Sequence, residues 1–503
     1  MSRLLIRIAR MQVFACVSWM SALYLSGCTV VGPDYHRPRI DLPSSWSEAG
    51  GQGAGMDRAQ LQVWWRAFND PLLDRLIDQA LLNNQDLGMA LARLQQARAE
   101  RIQSSSRWGP TVSIGGEGDS MRSSQMLDWP PGIGQSSTWR TGFDASWELD
   151  MFGGARRELE AADADIAALA ADRHALQVSL LAELATDYSA LRTAQARLLI
   201  ANDNIRNLRE GEALAERAWR RGLGSSAELA QARAEREAAQ AQPPLLEADV
   251  LRSSHAIGVL VGGFPASLRE KLTAPHAAVM TVPGLPSSLP SEMIGQRPDL
   301  LADEHRLASA TARIGVAQAQ RLPHFSIPVS FGTTASLVHD LFSGASLAWS
   351  AGLQASQSLY DGGRARAGVK VAQARAQAAR LAYERDVRLA LRDVEDALTS
   401  LNSERQRQAS LVAAVTDSQA ALDRTTRLFR AGLSAYLPVL VAQRTANQAR
   451  DALTLSQGNQ VRGAIALYKA LGAGWRADEP LGFNRDSPPQ NPWPVRQAVT
   501  VGP

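Results

Sequence analysis

Apolar positions along this 503-residue chain follow two different periods. Between residues 155 and 218, Leu169, Leu176, Leu184, Leu191, Leu198 and Ile205 recur at steps of 7, 8, 7, 7 and 7. Those 36 residues make ten turns at 3.6 per turn, the period of a straight helix rather than of a 3.5-residue supercoil. The window holds no proline, and no glycine stands between Gly154 and Gly211; residues 364–430 hold one glycine, Gly368, near their start. A typical helix has ~11 residues, so both runs are abnormal. At ~1.5 Å per residue each predicts a helix ~95–100 Å long. Dense alanine between the large apolar residues lets neighbours approach closely, which suits long helices packed side by side in a wall.

The second period is two. Val112 and Ile114, then Phe143, Ala145 and Trp147, alternate with polar neighbours. So do Phe325, Ile327, Val329 and Phe331, and then Leu347, Trp349, Ala351, Leu353 and Ala355. Alternation over about 8 to 11 residues predicts half-exposed strands. Residues 123–137 and 335–346, rich in Ser, Gly and Pro, connect each pair. Two soluble hairpins over a core would give the same alternation. The tryptophans favour membrane strands: Trp108, Trp129, Trp139, Trp147 and Trp349 cluster at or near strand ends, where barrel proteins carry interfacial aromatics.

The pattern is written twice. Pro110 recurs as Pro323 after 213 positions, Gly153-Gly154 as Gly362-Gly363 after 209, and Arg221-Gly222-Leu223-Gly224-Ser225 as Ala431-Gly432-Leu433-Ser434-Ala435 after 210. Near-constant offsets predict a duplication, each copy reading helix, strand, loop, strand, long helix, tight turn, helix. The copies differ after the turns. Pro243-Pro244 predicts a break and lateral structure in the first, whereas Pro438 falls near a helix start, where proline is tolerated. The expected divisions are a leader over 1–27, an extended segment over 28–70, the two copies over 71–275 and 297–472 with a linker at 276–296, and a tail over 473–503.

The amino end changes the charge and the compartment. Arg3, Arg7 and Arg10 precede an apolar stretch, Met11 to Leu25, of signal-peptide size and too short for a membrane span. Leu25-Ser26-Gly27-Cys28 resembles a bacterial lipobox, which predicts acylation of Cys28 and a mature chain that begins there. Of 53 Lys+Arg those three leave with the leader, so 50 basic side chains balance 50 acidic ones, and the basic pI is no argument for nucleic acid. No later stretch is apolar enough for a membrane helix. If the mature chain crosses a membrane it does so as a β-barrel. Four strands cannot close a barrel, and open edges cannot sit in lipid. Two copies give an eight-stranded barrel filled by its own side chains; three give 12 strands and a lumen.

The lipobox, Trp64-Trp65-Arg66-Ala67-Phe68-Asn69-Asp70-Pro71-Leu72, Arg297-Pro298-Asp299-Leu300, Leu359-Tyr360-Asp361-Gly362-Gly363 and Ala431-Gly432-Leu433-Ser434-Ala435-Tyr436-Leu437 together resemble the lipoprotein branch of the TolC-like outer-membrane factors. The resemblance spans nearly the whole mature chain. It implies a mixed fold: a homotrimer with a 12-stranded transmembrane β-barrel continued by a long α-helical barrel with an equatorial belt. It implies residence in the Gram-negative outer membrane, held by lipid and extending into the periplasm. Its implied partners are a periplasmic adaptor and an inner-membrane pump of the RND type. It places adaptor docking at Gly222, Leu223, Gly224, Gly432, Leu433 and Ser434, and bends from barrel to helix at Gly153, Gly154, Gly362 and Gly363. At the inner gate the family typically carries acids six and nine residues after the second-turn glycine. Here those positions are Pro438 and Val441. Tyr436, Arg427 and Arg430 then remain as the expected constriction, with Asp423 and Glu228 the nearest acids to consider for a cation-binding ring.

Seven scattered histidines include no pair at metal-ligand spacing, and the glycine-rich stretches lack the strand-to-helix context of a phosphate loop. An enzyme, a cofactor and a metal are therefore not expected. The rival class is a lipid-anchored, coiled-coil periplasmic scaffold that conducts nothing.

Overall fold

The computed structural model describes residues 30–47, 58–122, 124, 126, 134–282 and 295–476. Its elements in chain order are α1 (Pro71–Asn83), α2 (Gln85–Ser106), β1 (Thr111–Arg122), β2 (Gln135–Leu149), α3 (Gly154–Arg220), α4 (Ser226–Gln240), α5 (Pro243–Leu260), α6 (Pro298–Ala319), β3 (His324–Ala335), β4 (Leu347–Ala351), β5 (Gln354–Ser356), α7 (Arg364–Arg430) and α8 (Leu437–Ala470). The two proline-free runs are unbroken helices of 67 residues each. The break after the first turn falls at Pro243, which opens α5, while Pro438 sits in the first turn of the uninterrupted α8.

Two compact units share the chain. One contains residues 1–49, 92–176 and 288–399, the other 50–91, 177–287 and 400–503. These units cut across the two sequence copies at 71–275 and 297–472. Each unit draws on both copies, and in the second unit Leu208, Ala215, Leu229 and Ala232 of the first copy share a core with Tyr436, Val439 and Leu440 of the second.

The first unit holds the sheet. Its strands pair antiparallel in the order β1-β2-β3-β4, with β5 also on β3. The expected fourth strand, Leu347 to Ala355, is split between β4 and β5 although its register is continuous. The reason is Pro328. Gly352 N donates to Pro328 O (3.1 Å), and the returning ladder bond would need an N–H that proline lacks. The connection before β4 is not plain loop, since it carries two short 3-10 turns, Val338–Phe342 and Gly344–Ser346.

The second unit holds the larger buried core. Asp70 caps α1, its Oδ1 accepting from Leu72 N (2.9 Å) and Leu73 N (3.3 Å), while Oδ2 accepts from the Tyr188 hydroxyl (2.6 Å). The Trp64 ring, 1% exposed, stacks on Tyr468 with centroids 5.0 Å apart. Residues 64–68 are thus a buried 3-10 turn, not part of an extended segment as expected for 28–70: Trp64, Trp65 and Phe68 are apolar enough to be drawn into the core. The first tail residues also pack, with Gln177 Nε2 donating to Gly474 O (3.1 Å). Lateral structure follows α5. Leu272 is buried, and Gln195 Nε2 donates to the carbonyls of Leu272 (2.7 Å) and Ala274 (2.9 Å). Of the helical stripe in α3, Leu184, Leu191 and Ile205 are buried and Leu169, Leu176 and Leu198 half-buried.

Candidate functional site: a two-faced sheet and two helical tips

Strand register sorts the sheet into two faces. Ile114 stands opposite Phe143, Phe143 opposite Phe331, and Phe331 opposite Trp349. The next row down is Val112, Ala145, Val329 and Ala351, and below it lie Trp147 and Ile327. All four alternating patterns therefore share one face, and that face is bare: Ile114 is 72% exposed, Phe331 52% and Trp349 75%. Toward the far end, Thr141 and Thr333 interrupt it before Trp139 and Ala335. The opposite face carries Ser113, Asp144, Ser330 and Ser350 in one row and Glu117, Arg140 and Thr334 in another. There Arg140 Nη2 donates to Asp144 Oδ1 (3.1 Å) and Ser330 Oγ (2.6 Å). An apolar face with no core over it contradicts the soluble-hairpin reading within this chain, because exposed aromatic rows of this size need a covering phase. At the end of the sheet where β2 leaves for α3, Trp147 Nε1 donates to Trp108 O (3.0 Å), so two tryptophans are joined there.

The glycine pairs follow the strands. Gly153 has φ +80°, and Gly362 and Gly363 have φ +66° and +90°, conformations that side chains resist. Each bend is closed by an aspartate: Asp150, which sequence reasoning did not single out, and Asp361, which it named only within a family motif. Asp150 accepts from Ala155 N and Arg156 N (both 3.1 Å), and Asp361 from Gly363 N and Ala365 N (both 2.8 Å). Bonds from the Ala365 and Gly363 N–H groups hold the Asp361 carboxyl below the ordinary range. A residue that can cap, just before a long proline-free run, was the available signal.

The two tips are built alike. Leu223 N donates to Ala218 O (2.9 Å) and Gly222 N to Trp219 O (3.0 Å); Leu433 N donates to Leu428 O (2.9 Å) and Gly432 N to Phe429 O (3.0 Å). With Gly222 and Gly432 at φ +70° and +72°, both are Schellman ends. In that motif the residue after glycine often folds back onto the helix. Here Leu223 and Leu433 project instead, 81% and 76% exposed. Gly224 precedes Ser225, whose side chain and Glu228 form a reciprocal capping box at the start of α4.

The expected constriction is corrected in part. Tyr436 is 4% exposed and packs with Leu208, Ala215, Leu229, Ala232, Val439 and Leu440, its ring 5.1 Å from that of Phe429. Helix packing turns the side chain into the hairpin, so it is not an open wall residue of this chain. Burial pushes its hydroxyl up to about 12. Arg427 and Arg430 are exposed, as are Pro438 and Val441. Glu228 is committed to its capping box, and Asp423 accepts from Gln419 Nε2 (2.9 Å). Cys28 and Trp129 lie outside the described residues.

A family model described as "Outer membrane efflux protein" matches residues 76–263 and 289–473. The pyoverdine export outer membrane protein OpmQ of Pseudomonas putida is 34% identical over 441 residues, 86% of this chain and 93% of the relative. The cation efflux system protein CusC of Escherichia coli is 32% identical over 464 residues, covering 90% and 97%. Among solved structures, that of the outer-membrane channel OprN aligns with a TM-score of 0.82 at 36% identity, covering 88% of this chain and 99% of that one.

Proposed function

This chain belongs to the outer membrane efflux protein family, and on that premise we propose that it is the outer-membrane exit duct of a tripartite efflux pump. It carries small molecules passively from a periplasmic adaptor–pump assembly to the outside. The observation that carries the reading is the two-faced sheet, with a bare apolar face and a polar one behind it. From Phe325 to Ala335 the apolar face runs ~34 Å along the strand. At a barrel tilt of ~40° that spans ~26 Å, close to the ~25 Å apolar band of an outer-membrane barrel.

One chain leaves both sheet edges open, so three copies complete a 12-stranded barrel whose lumen is lined by the polar face. The long helices continue it as an α-helical barrel into the periplasm. The paired landmarks at offsets of 209 to 213, echoed by the twin Schellman tips, support an internal duplication. Leu223 and Leu433 give the apolar contacts by which the tips dock the adaptor of an inner-membrane RND-type pump. Acylation of Cys28 adds a lipid hold to that of the barrel. No acid at Pro438 or Val441 leaves the inner aperture without a cation-binding ring. Deletion of the gene with its pump intact tests the duct role: drug or ion accumulation rises if this chain is the exit, and stays at the wild-type level if it is a scaffold.

A further inference from the structure

The amino-terminal segment 30–47 is held at one point by a single buried guanidinium. Arg157, in the first turn of α3, is 4% exposed. Its Nε donates to Val31 O (3.2 Å) and its Nη2 to Gly32 O (3.2 Å) and Asp34 Oδ1 (2.7 Å), while Nη1 reaches Glu160 Oε2 (2.7 Å). Two acceptors are carbonyls of consecutive residues, so the guanidinium fixes the path of the backbone. Its planar fork suits that task, and a lysine would not reproduce it.

An independent contact lies beside it. Gly32 has φ +101°, and a Cβ there would overlap the Gly315 backbone on α6. A Cβ on Gly315 would stand 2.7 Å from both Val31 O and Arg157 Cγ. This is a backbone crossing that only a glycine pair permits. Val31 N also donates to Phe152 O (3.1 Å), which ties the crossing to the chain between β2 and α3.

The repeat-related site lacks this arrangement. Arg366 stands 209 positions after Arg157, the offset of the two glycine pairs, and is exposed. Under the offset that relates Ile102 to Ile314, the position matching Gly315 is Gln103. A chain has one amino terminus, and of the two repeat-related sites only the one that meets it, built from Arg157 of the first copy and Gly315 of the second, carries both the buried arginine and the glycine crossing.

We propose that Arg157 is a positioning residue for the lipid anchor. With the Gly32–Gly315 crossing it latches the amino-terminal segment at the foot of the sheet. Cys28 stands three residues before Val31, so the covalent chain keeps it within ~11 Å of the latched Val31 carbonyl. The acyl chains then enter lipid beside the end of β2, and the tether raises the local concentration of the sheet at the membrane it must enter. This inference rests on the barrel and anchor reading above.

The test is a mutational cycle on the full chain in cells, read as trimer yield in the outer-membrane fraction. Arg157→Met and Gly315→Ala are each made with Cys28 intact, and each with Cys28→Ser behind a non-lipoprotein export signal; Arg366→Met is the control. The expected result is a fall of about tenfold for both variants when Cys28 is acylated, the scale of a lost charged hydrogen bond, no further fall in the Cys28→Ser background, and no effect of Arg366→Met. Equal falls in both backgrounds would make Arg157 a residue of general stability and overturn the latch. Equal wild-type and Cys28→Ser yields would overturn the anchor itself, and with it the latch, while conductance of the purified protein would still report separately on the channel. Amide exchange at Val31 in the purified protein gives a second readout: it should rise at least about tenfold in Arg157→Met with α3 unchanged beyond its first turns. Unchanged exchange at Val31 would also overturn the proposal.

Discussion

Phe331 and Trp349 stand directly opposite each other on β3 and β4, both more than half exposed, on a face with no protein over it. Their neighbours Ser330 and Ser350 form the matching pair on the other face. A charge one residue apart therefore meets opposite surroundings. Trp349→Arg or Val329→Arg is expected to cost ~2–4 kcal/mol near mid-bilayer and to lower trimer yield. Ser350→Arg, aimed at the polar face, is expected to leave the yield unchanged. Yields of folded trimer by gel mobility without heating check both; equal effects would overturn the face assignment.

Leu223 and Leu433 are exposed apolar residues on structurally equivalent turns. Burying one leucine at an interface is worth ~1.5–3 kcal/mol. Leu223→Asp combined with Leu433→Asp should weaken adaptor binding at least ~tenfold and abolish efflux, with trimer yield and conductance intact. In-cell cross-linking to the adaptor beside a conductance record separates the two effects.

Both 67-residue helices were legible because proline is missing from them and each holds a single interior glycine, Gly211 or Gly368, and glycine marked both tips. The common apolar face was legible strand by strand, but the register that joins the four rows depends on pairing partners as far apart in sequence as Trp139 and Ala335. The split of the fourth strand traces to Pro328 on its neighbour, so nothing within Leu347–Ala355 announced it. Tyr436 was misjudged for a similar reason. Distance from a glycine gives height along a helix, while the direction of the side chain is set by packing among α3, α4, α7 and α8. The latching role of Arg157 gave no local signal, since the acceptors it holds on the amino-terminal segment lie 123 to 126 residues earlier.

Tyr436 now carries a different expectation. Its ring fills the core of the inner end, so Tyr436→Ala should destabilise the hairpin by ~3–5 kcal/mol, the cost of removing a buried aromatic ring. Thermal unfolding checks this. Burial raises the hydroxyl from 10.0 to about 12, so the folded form holds its proton more tightly than the unfolded form. The contribution is complete below pH 10 and is lost as pH rises toward 12. Conductance should show no titration from this group between pH 6 and 9.

Multivalent cations added on the periplasmic side should block weakly. Glu228 is tied into a capping box, and Pro438 and Val441 carry no charge. Strong block abolished by Glu228→Gln or Asp423→Asn would reveal an acidic ring at the aperture.

Mass spectrometry of the mature chain should find acylation at Cys28 and no residue before it. An unmodified Cys28 or an intact leader would end the anchor assignment. Cys28→Ala, exported behind another signal sequence, should reduce insertion more than the conductance of the channels that do insert.

Single-channel recording in a planar bilayer, on protein whose native mass has been measured in the same preparation, bears most directly on the account. The predicted result is discrete conductance steps from a species of three chains. A silent preparation of intact protein, or conductance carried by a species of two or four chains, would contradict a trimeric 12-stranded duct.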